Sequence, residues 1–224
     1  MVTIGPEDQA LVTAAVAEAE GRTSGEIVTV VAPESDRYHD VALHWAVLLT
    51  LGLLAYAALF PDNIVEGVRW MAGGWTPEPS LRQLFTALLI LAALAFLLGV
   101  LMFRPRALRL AVTPPATKAR RVRRRAVELL KVAAERRTHG RTGVLLYLSL
   151  AEHRAEIVAD EAIHSKVAPE VWGEAMAMLV ADVRAGRTGA GMAAAVRAMG
   201  DVLAEHFPRE TDDRNELPDR LITL

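Results

Sequence analysis

Two apolar runs, residues 41–60 and 84–103, interrupt a chain whose other segments mix polar and apolar positions. Each run has 20 residues and contains no Asp, Glu, Lys or Arg. As an α-helix, such a run extends about 30 Å, which is the thickness of a bilayer's hydrocarbon core. A chain of 224 residues leaves too little protein to bury two such helices in a soluble core. The pattern therefore predicts a transmembrane hairpin with a connecting loop at 61–83.

Shorter helices and strands are predicted on both sides of this hairpin. Before it, a helix begins at Pro6 and a strand follows over 26–32. After it, the pattern predicts a helix over 117–138, strands over 143–150 and 155–160, and helices over 169–186 and 189–207. The strands at 26–32 and 143–150 are apolar on both faces, which is typical of interior strands covered by helices. The tight connection between the last two strands predicts antiparallel pairing.

Neither soluble segment is large enough to fold well alone, so we expect one α/β domain interrupted by the hairpin. Residues 1–40 form its first part, residues 41–103 the hairpin, and residues 104–208 a basic helix and the remainder of the domain. Residues 209–224 hold five acidic side chains and three arginines and have little to bury. This composition predicts a mobile tail.

Charge is segregated along the chain although the net charge is only −2. Residues 104–141 hold 13 basic and 2 acidic side chains, whereas residues 1–40 hold 2 basic and 8 acidic ones. The positive-inside rule places the basic segment in the cytoplasm, and two spans return the N-terminus to the same side. We therefore predict a two-span protein of the bacterial inner membrane with both termini cytoplasmic. Trp70 and Trp75 in the outer loop suit the membrane interface.

The usual signatures of catalysis are missing from the sequence. The absence of cysteine excludes disulfides, thiolate metal sites and cysteine nucleophiles. We find no phosphate-binding glycine loop, nucleophile elbow or zinc-protease motif. Ser149 and His153 are four residues apart but lack a glycine elbow, so this spacing indicates no triad. No catalytic residue is assigned, and a protein without enzymatic activity is favoured.

Several stretches in the two soluble segments resemble the TPM-domain family. They are Thr23-Ser24-Gly25-Glu26-Ile27-Val28, Arg141-Thr142-Gly143-Val144-Leu145-Leu146, the run from Ile157 to His164, Arg184-Ala185-Gly186-Arg187 and His206-Phe207-Pro208. The resemblance implies an α/β/α sandwich around a short mixed sheet. Family members are often attached to membranes, and many bacterial members are similar to accessory or scaffold proteins. Some plant relatives act in photosystem repair and have weak acid phosphatase activity, and LemA-type membrane proteins are frequent genomic neighbours.

The chain departs from better-known family members in two ways. Those members usually carry a signal peptide and an anchor after the domain, whereas here the hairpin interrupts the domain. They also tend to have an acidic residue and Asn-Gly where this chain has Arg141, Thr142 and Gly143. The missing carboxylate weakens any transfer of metal binding or phosphatase activity.

Two groups of oxygen and nitrogen ligands are weak candidates for a metal site. Glu34, Ser35 and Asp36 follow the first strand, where sites of open α/β sheets gather, and their oxygens suit Ca²⁺ or Mg²⁺. Asp160 and His164 have the spacing that places two side chains on one helix face. A polar turn and an ordinary helix N-terminus are the alternatives. No cofactor is expected otherwise.

The run from Lys118 to Arg125 is the most basic segment of the chain. Its cations are Lys118, Arg120, Arg121, Arg123, Arg124 and Arg125. Directly after a cytoplasmic span end, such a cluster favours anionic lipid headgroups or a partner, or it neutralises the acidic remainder of the domain. Nucleic acid is the less favoured alternative.

We therefore predict a membrane-anchored accessory or scaffold protein that binds or stabilises another integral membrane protein or complex. The resemblance suggests a LemA-type protein as that partner, besides the membrane lipids. The alternative is a weak metal-dependent phosphatase using Asp36, Asp160 and His164. That alternative requires the three side chains to converge.

Overall fold

Two buried parallel strands organise the larger part of the molecule. Strand β1, Glu26–Ala32, precedes the predicted hairpin and strand β2, Gly143–Ser149, follows it. They pair in parallel along their whole length, with Glu26 opposite Gly143 and Ala32 opposite Ser149.

The computed structural model describes residues 4–74, 78–137, 142–209 and 220–224. Within these ranges it places all side chains except those of residues 134–137 and 169.

A small mixed sheet is built around this pair. Strand β3, Arg154–Ala159, pairs antiparallel to β2, as its tight connection predicts. Strand β4, Ile222–Thr223, pairs in parallel with β1 on the other side. Within the described residues the strand order is β3-β2-β1-β4. The chain therefore has a mixed α/β fold, as the sequence predicts.

Helices cover both faces of this sheet because β1 and β2 are apolar on both faces. Helices α1 (Pro6–Glu20), α8 (Gly173–Arg184) and α9 (Thr188–His206) contribute to a core with Ile27, Val144 and Leu146. The opposite face, with Val28 and Leu145, packs on helix α6 through Val122, Ala126 and Leu130. Helix α6 spans Pro115–Arg137. The remaining helical pieces are α7 (Glu161–His164) and a 3-10 turn over Pro169–Trp172.

Helices α1 and α9 approach each other closely at a glycine. A Cβ built on Gly200 would lie 2.5 Å from the Cβ of Ala19, so the two helices meet where both residues are small. Ion pairs between Arg22 and Asp201, 2.7 Å apart, and between Arg197 and Glu18, 3.1 Å apart, flank this contact. The contact holds the segment before the hairpin to the last helix after it.

The chain divides into two compact units. One unit comprises residues 1–36 and 114–224, so the segments before and after the hairpin fold together. The other comprises residues 37–113. The α/β unit is thus formed by two segments that are separated in the sequence by the whole of the second unit.

The second unit contains the two long apolar helices. Helix α2, His39–Leu59, and helix α4, Leu81–Met102, begin two or three residues before the predicted spans and are long and apolar enough to cross a membrane. Between them lies helix α3, Pro61–Met71, where a loop is predicted. Pro61 at its first position and the apolar residues Ile64, Val65 and Val68 on one side account for this helix. A further helix, α5, spans Arg106–Val112.

Small residues bring α2 and α4 together. A Cβ built on Gly99 would lie 2.7 Å from the Cα of Ala46, and Ala46 is fully buried. The rings of Trp45 and Phe103 stack beside this contact with centroids 5.6 Å apart. Gly52, in contrast, has nothing within 4 Å of a built Cβ. Gly99 therefore pairs the two helices with each other, while Gly52 faces away from that contact.

The end of the chain differs from the predicted tail. Residues 220–224 are ordered against the sheet: Leu221 is buried, and β4 forms a short parallel pairing with Val30 and Val31. The side of β1 that faces away from β2 carries main-chain donors and acceptors, and β4 provides their hydrogen-bond partners. The composition of residues 209–224 gives no sign of this pairing. The acidic residues 210–219 of the predicted tail, like Trp75, Thr138 and Arg141, lie outside the described residues.

We expect the substitution Gly99→Ala to destabilise the pairing of α2 and α4 by about 1–3 kcal/mol, because the added methyl group meets helix backbone rather than a flexible side chain. Titration of the detergent-solubilised protein with SDS, followed by tryptophan fluorescence, measures the effect. Gly52→Ala is the matched control and should leave the transition unchanged. Equal transitions for both variants would contradict the close packing at Gly99.

Candidate functional site

Two arginines of α6 bind acidic residues of the same α/β unit. The Arg121 guanidinium donates to Asp36 Oδ2 at 2.9 Å, and Arg123 lies 3.5 Å from Glu156 Oε2. Asp36 follows β1 and Glu156 lies on β3, so the two ion pairs connect α6 to different parts of the sheet. This arrangement agrees with neutralisation of the domain, one of the roles expected for the basic run.

The other cations of the run do not pair with acids of the sheet among the described residues. Arg124 and Arg125 pair with Glu128 on the same helix, at 2.9 and 3.8 Å. Exposed pairs of this kind contribute little to stability. Arg120 donates to the Thr117 hydroxyl at 3.4 Å, and neither Lys118 nor Arg120 has a carboxylate partner in the part of the chain that the structure describes. These two cations, at the start of α6, are the ones available to an external anion.

A buried polar network lies where β1 and β2 end. The Glu152 carboxylate accepts a hydrogen bond from the main-chain N–H of Ser35 at 3.0 Å and another from the Ser149 hydroxyl. The Ser35 hydroxyl and the Tyr147 hydroxyl are 3.0 Å apart. Ser149, Glu152 and Tyr147 are all buried. We call these four residues the Glu152 network.

The electrostatics of this network follow from its burial. Burial raises the pKa of Tyr147, and the nearby Glu152 carboxylate raises it further, against the opposing effects of the Ser35 hydrogen bond and the Arg125 charge. Tyr147 is therefore neutral at physiological pH and acts as a hydrogen-bonding group. Ser149 is fully buried, so its contact with Glu152 presents no nucleophile to a substrate. The network holds the 33–36 loop against the sheet.

The Glu152 network includes Ser35, which lies in the first of the two candidate metal sites, the loop of Glu34, Ser35 and Asp36. Asp36 binds Arg121, and Ser35 contacts Glu152 and Tyr147. Both members of the loop therefore already have strong partners within the fold. Glu34 is partly buried in the same loop. The alternative expected for these residues, a polar turn after a strand, describes them well.

Asp160 and His164 lie elsewhere. Asp160 precedes α7, and its carboxylate accepts the main-chain N–H of Gly143 at 3.1 Å, while its carbonyl accepts the N–H of His164. His164 is exposed and, with Glu161, lines an open groove beside β3. Asp160 thus forms an ordinary helix start, which was the alternative to a ligand pair.

Sheet register separates the two metal candidates. Asp160 lies beside Gly143, which pairs with Glu26 at the beginning of β1, whereas Asp36 follows the end of that strand. Seven strand residues separate these ends by about 20 Å. Asp36 and Asp160 therefore do not converge, as the phosphatase alternative requires them to. The residues that the structure describes contain no group of three or more His, Asp or Glu side chains suited to a metal ion.

Sequence reasoning missed the Glu152 network, although one signal for it was present. The hydrogen-bond partner of Ser149 is Glu152, three residues on, rather than His153, four residues on. His153 has a left-handed backbone with φ of 49°, which turns the chain tightly after β2. The Ser-x-x-Glu spacing of Ser149 and Glu152 across a tight turn was the sequence signal for this hydrogen bond.

Comparison with known proteins gives information on the fold alone. No family model and no curated protein matches the chain. The NMR structure of the BA42 protein from the psychrophilic bacterium Bizionia argentinensis is similar, with a TM-score of 0.55. The match has 16% sequence identity and covers 99% of this chain and 95% of that one. At this identity, the likeness supports a shared fold.

We expect Glu152→Ala to lower the free energy of unfolding by about 2–3 kcal/mol, because it leaves the buried Ser149 hydroxyl and the Ser35 N–H without their charged acceptor. Glu128→Ala, which removes an exposed acid and its surface ion pairs, should cost less than about 1 kcal/mol. Chemical denaturation of the α/β unit in the full-length protein, followed by circular dichroism, measures both. Similar losses for the two variants would show that the Glu152 network does not stabilise the fold.

Proposed function

We propose that this protein is a membrane-anchored accessory or scaffold protein. In this proposal α2 and α4 cross the bacterial inner membrane, and the α/β unit lies in the cytoplasm, where it binds or stabilises another integral membrane protein or complex. The two units have separate tasks: the hairpin anchors, and the α/β unit contacts the partner.

The observation that carries the proposal is the exposure of the two apolar helices. Only 22% of the most apolar stretch of α2 and 6% of that of α4 are buried within the protein. A core helix of a soluble protein is covered on most sides, whereas these helices leave leucine and phenylalanine side chains facing outward. A bilayer is the environment that stabilises such surfaces.

Charge and aromatic residues support the orientation. The segment after α4 is strongly basic, and Arg109 donates to the carbonyls of Phe103 and Arg104 at the end of that helix. Trp70, which is 80% exposed, lies on α3 at the opposite end of the hairpin sequence, where an interfacial side chain is expected. Both features are consistent with cytoplasmic termini and an outer α3.

The two helix-covered faces of the sheet support the finer fold assignment, an α/β/α sandwich like that of the TPM-domain family. For that family, the resemblance suggests an accessory role and a LemA-type partner. A phosphatase receives no comparable support, because its candidate residues lie at opposite ends of the sheet. We assign Lys118 and Arg120 to anionic lipid headgroups, and Arg121 and Arg123 to cohesion of the domain.

Topology is testable because the chain has no native cysteine. Gly67 on α3 and Gly5 before α1 each have nothing within 4 Å of a built Cβ, so both tolerate a single cysteine. We expect a membrane-impermeant maleimide to label Gly67→Cys in intact spheroplasts, and Gly5→Cys only after the membrane is permeabilised. Labelling of Gly5→Cys in intact spheroplasts would overturn the cytoplasmic placement.

The accessory role predicts a stoichiometric membrane partner. Affinity purification of the full-length protein in mild detergent, with identification and quantification of what co-elutes, is the test. The absence of any integral membrane protein at stoichiometry contradicts the proposal.

The headgroup assignment predicts that the double variant Lys118→Ala with Arg120→Ala carries less bound anionic phospholipid than the wild type, as measured by lipid analysis of the purified protein. The matched double variant Arg124→Ala with Arg125→Ala should retain it; equal losses would refute the headgroup assignment.

A further inference from the structure

Strand β3 lies at the edge of the sheet among the described residues, with β2 on one side only. The main-chain N–H of Asp160 donates to the Gly143 carbonyl, so the main-chain groups of Asp160 point toward β2. Because these groups alternate in direction along a strand, those of Ala155, Ile157 and Ala159 point away from β2. They form a row of donors and acceptors whose natural complement is another strand.

An open groove runs along this row. It has a volume of about 420 Å³ and is lined by every residue from Ala155 to Ala159, a size within the range of ligand-binding clefts, which is roughly 300–1,000 Å³. Arg123 of α6 stands on one side, and Trp172, Gly173 and Met176 stand on the other. The groove therefore has an extended backbone as its floor and helices as its walls.

The walls determine the side-chain pattern of an occupant. The side chains of Ala155, Ile157 and Ala159 pack with the core on the α8 side, so added-strand residues on that face meet Trp172 and Met176. Apolar side chains suit that face. The opposite face, with Glu156 and Arg123, is polar.

One carboxylate of the groove, that of Glu161, favours a positively charged residue in the occupant. Glu161 lies at the end of β3 and has no cationic partner among the described residues, while Glu156 has Arg123 at 3.5 Å. Arg154 also acts electrostatically on Glu156, so Glu161 is the carboxylate of the groove that has no cation beside it in the described part of the chain. A Lys or Arg in the occupant, beside Glu161, would balance this negative charge.

We propose that this groove binds an extended segment of the partner protein by strand addition to β3. The segment has alternating apolar residues facing Trp172 and Met176 and a Lys or Arg next to Glu161. A second copy of this chain is the competing occupant, and the test below distinguishes it from the partner. This inference rests on the proposed function, since it names how the membrane partner is held.

The groove can be filled without changing β3. Gly173 begins α8 with φ of −59°, and nothing lies within 4 Å of a built Cβ, so a larger residue there is free of backbone strain. Gly173→Trp should obstruct the groove. Gly5→Trp adds the same side chain at another open glycine of the same unit and is the matched control. Thermal unfolding of both variants verifies that each remains folded.

The probe is a fluorescein-labelled peptide of sequence Thr-Val-Thr-Val-Thr-Lys, added to the full-length protein in detergent micelles. Fluorescence anisotropy should show binding to the wild type and to Gly5→Trp, and at least about tenfold weaker binding to Gly173→Trp. A peptide with proline in place of the second valine should not bind, because it lacks a main-chain donor. Equal binding to Gly173→Trp, or no binding to the wild type, would overturn the inference.

The same variants separate this inference from the proposed function. If the membrane partner co-purifies equally with Gly173→Trp and Gly5→Trp, the accessory role stands and the groove is not its binding site. If the peptide binds as predicted but no partner co-purifies with the wild type, the groove stands and the accessory role falls. Loss of a homodimer in Gly173→Trp, measured by light scattering without peptide, would assign the groove to a second copy and overturn our choice of occupant.

Discussion

The parallel pairing of β1 with β2 is the interaction on which the rest of the structure depends. The two strands come from opposite sides of the hairpin, yet they pair over seven residues and are buried along their full length. Strands β3 and β4 extend this pair into the sheet, and helices α1, α6, α8 and α9 contribute to the cores on its two faces. If the pairing were lost, the residues before the hairpin would retain a helix and a strand with too little apolar surface to fold alone.

A long insertion between paired strands is tolerated for a physical reason. The entropic cost of closing a loop rises only with the logarithm of its length, so adding residues to an already long connection costs little more. Here the insertion is also ordered, because α2 and α4 pack against each other at Ala46 and Gly99. The hairpin thus has its own internal contacts, and the sheet does not need to stabilise it.

Local pattern predicted most elements of this fold. β1 was predicted at its observed bounds, β2 and β3 within a residue, and α2 and α4 within three residues at each end, because their apolar patterns are strong and local. Helix α3 was missed although Pro61 and its apolar side are local signals, whereas two other missed features depend on partners distant in sequence. The pairing of β4 with β1 requires the open side of β1, and the contact between Ser35 and Glu152 spans more than a hundred residues.

Register explains why Asp36 and Asp160 do not form a common site. Asp36 and Asp160 each follow a strand, which made a common site at one end of the sheet attractive. Because β3 runs antiparallel to β1 and β2, the ends of β1 and β3 lie at opposite ends of the sheet. The sequence predicted the antiparallel pairing of β2 and β3, but the parallel pairing of β1 with β2 was needed to place Asp36.

In helix α6, the number of basic residues is larger than the number of positive charges available to an external ligand. By count alone, the Lys118–Arg125 run suits nucleic acid or lipid equally well. One side of the helix is apolar and covers the sheet, and the arginines beside it turn back to Asp36 and Glu156. Two more share Glu128, which leaves the outward charge concentrated at Lys118 and Arg120. These two residues lie at the start of α6, and our headgroup proposal is therefore limited to them rather than extended to the whole run.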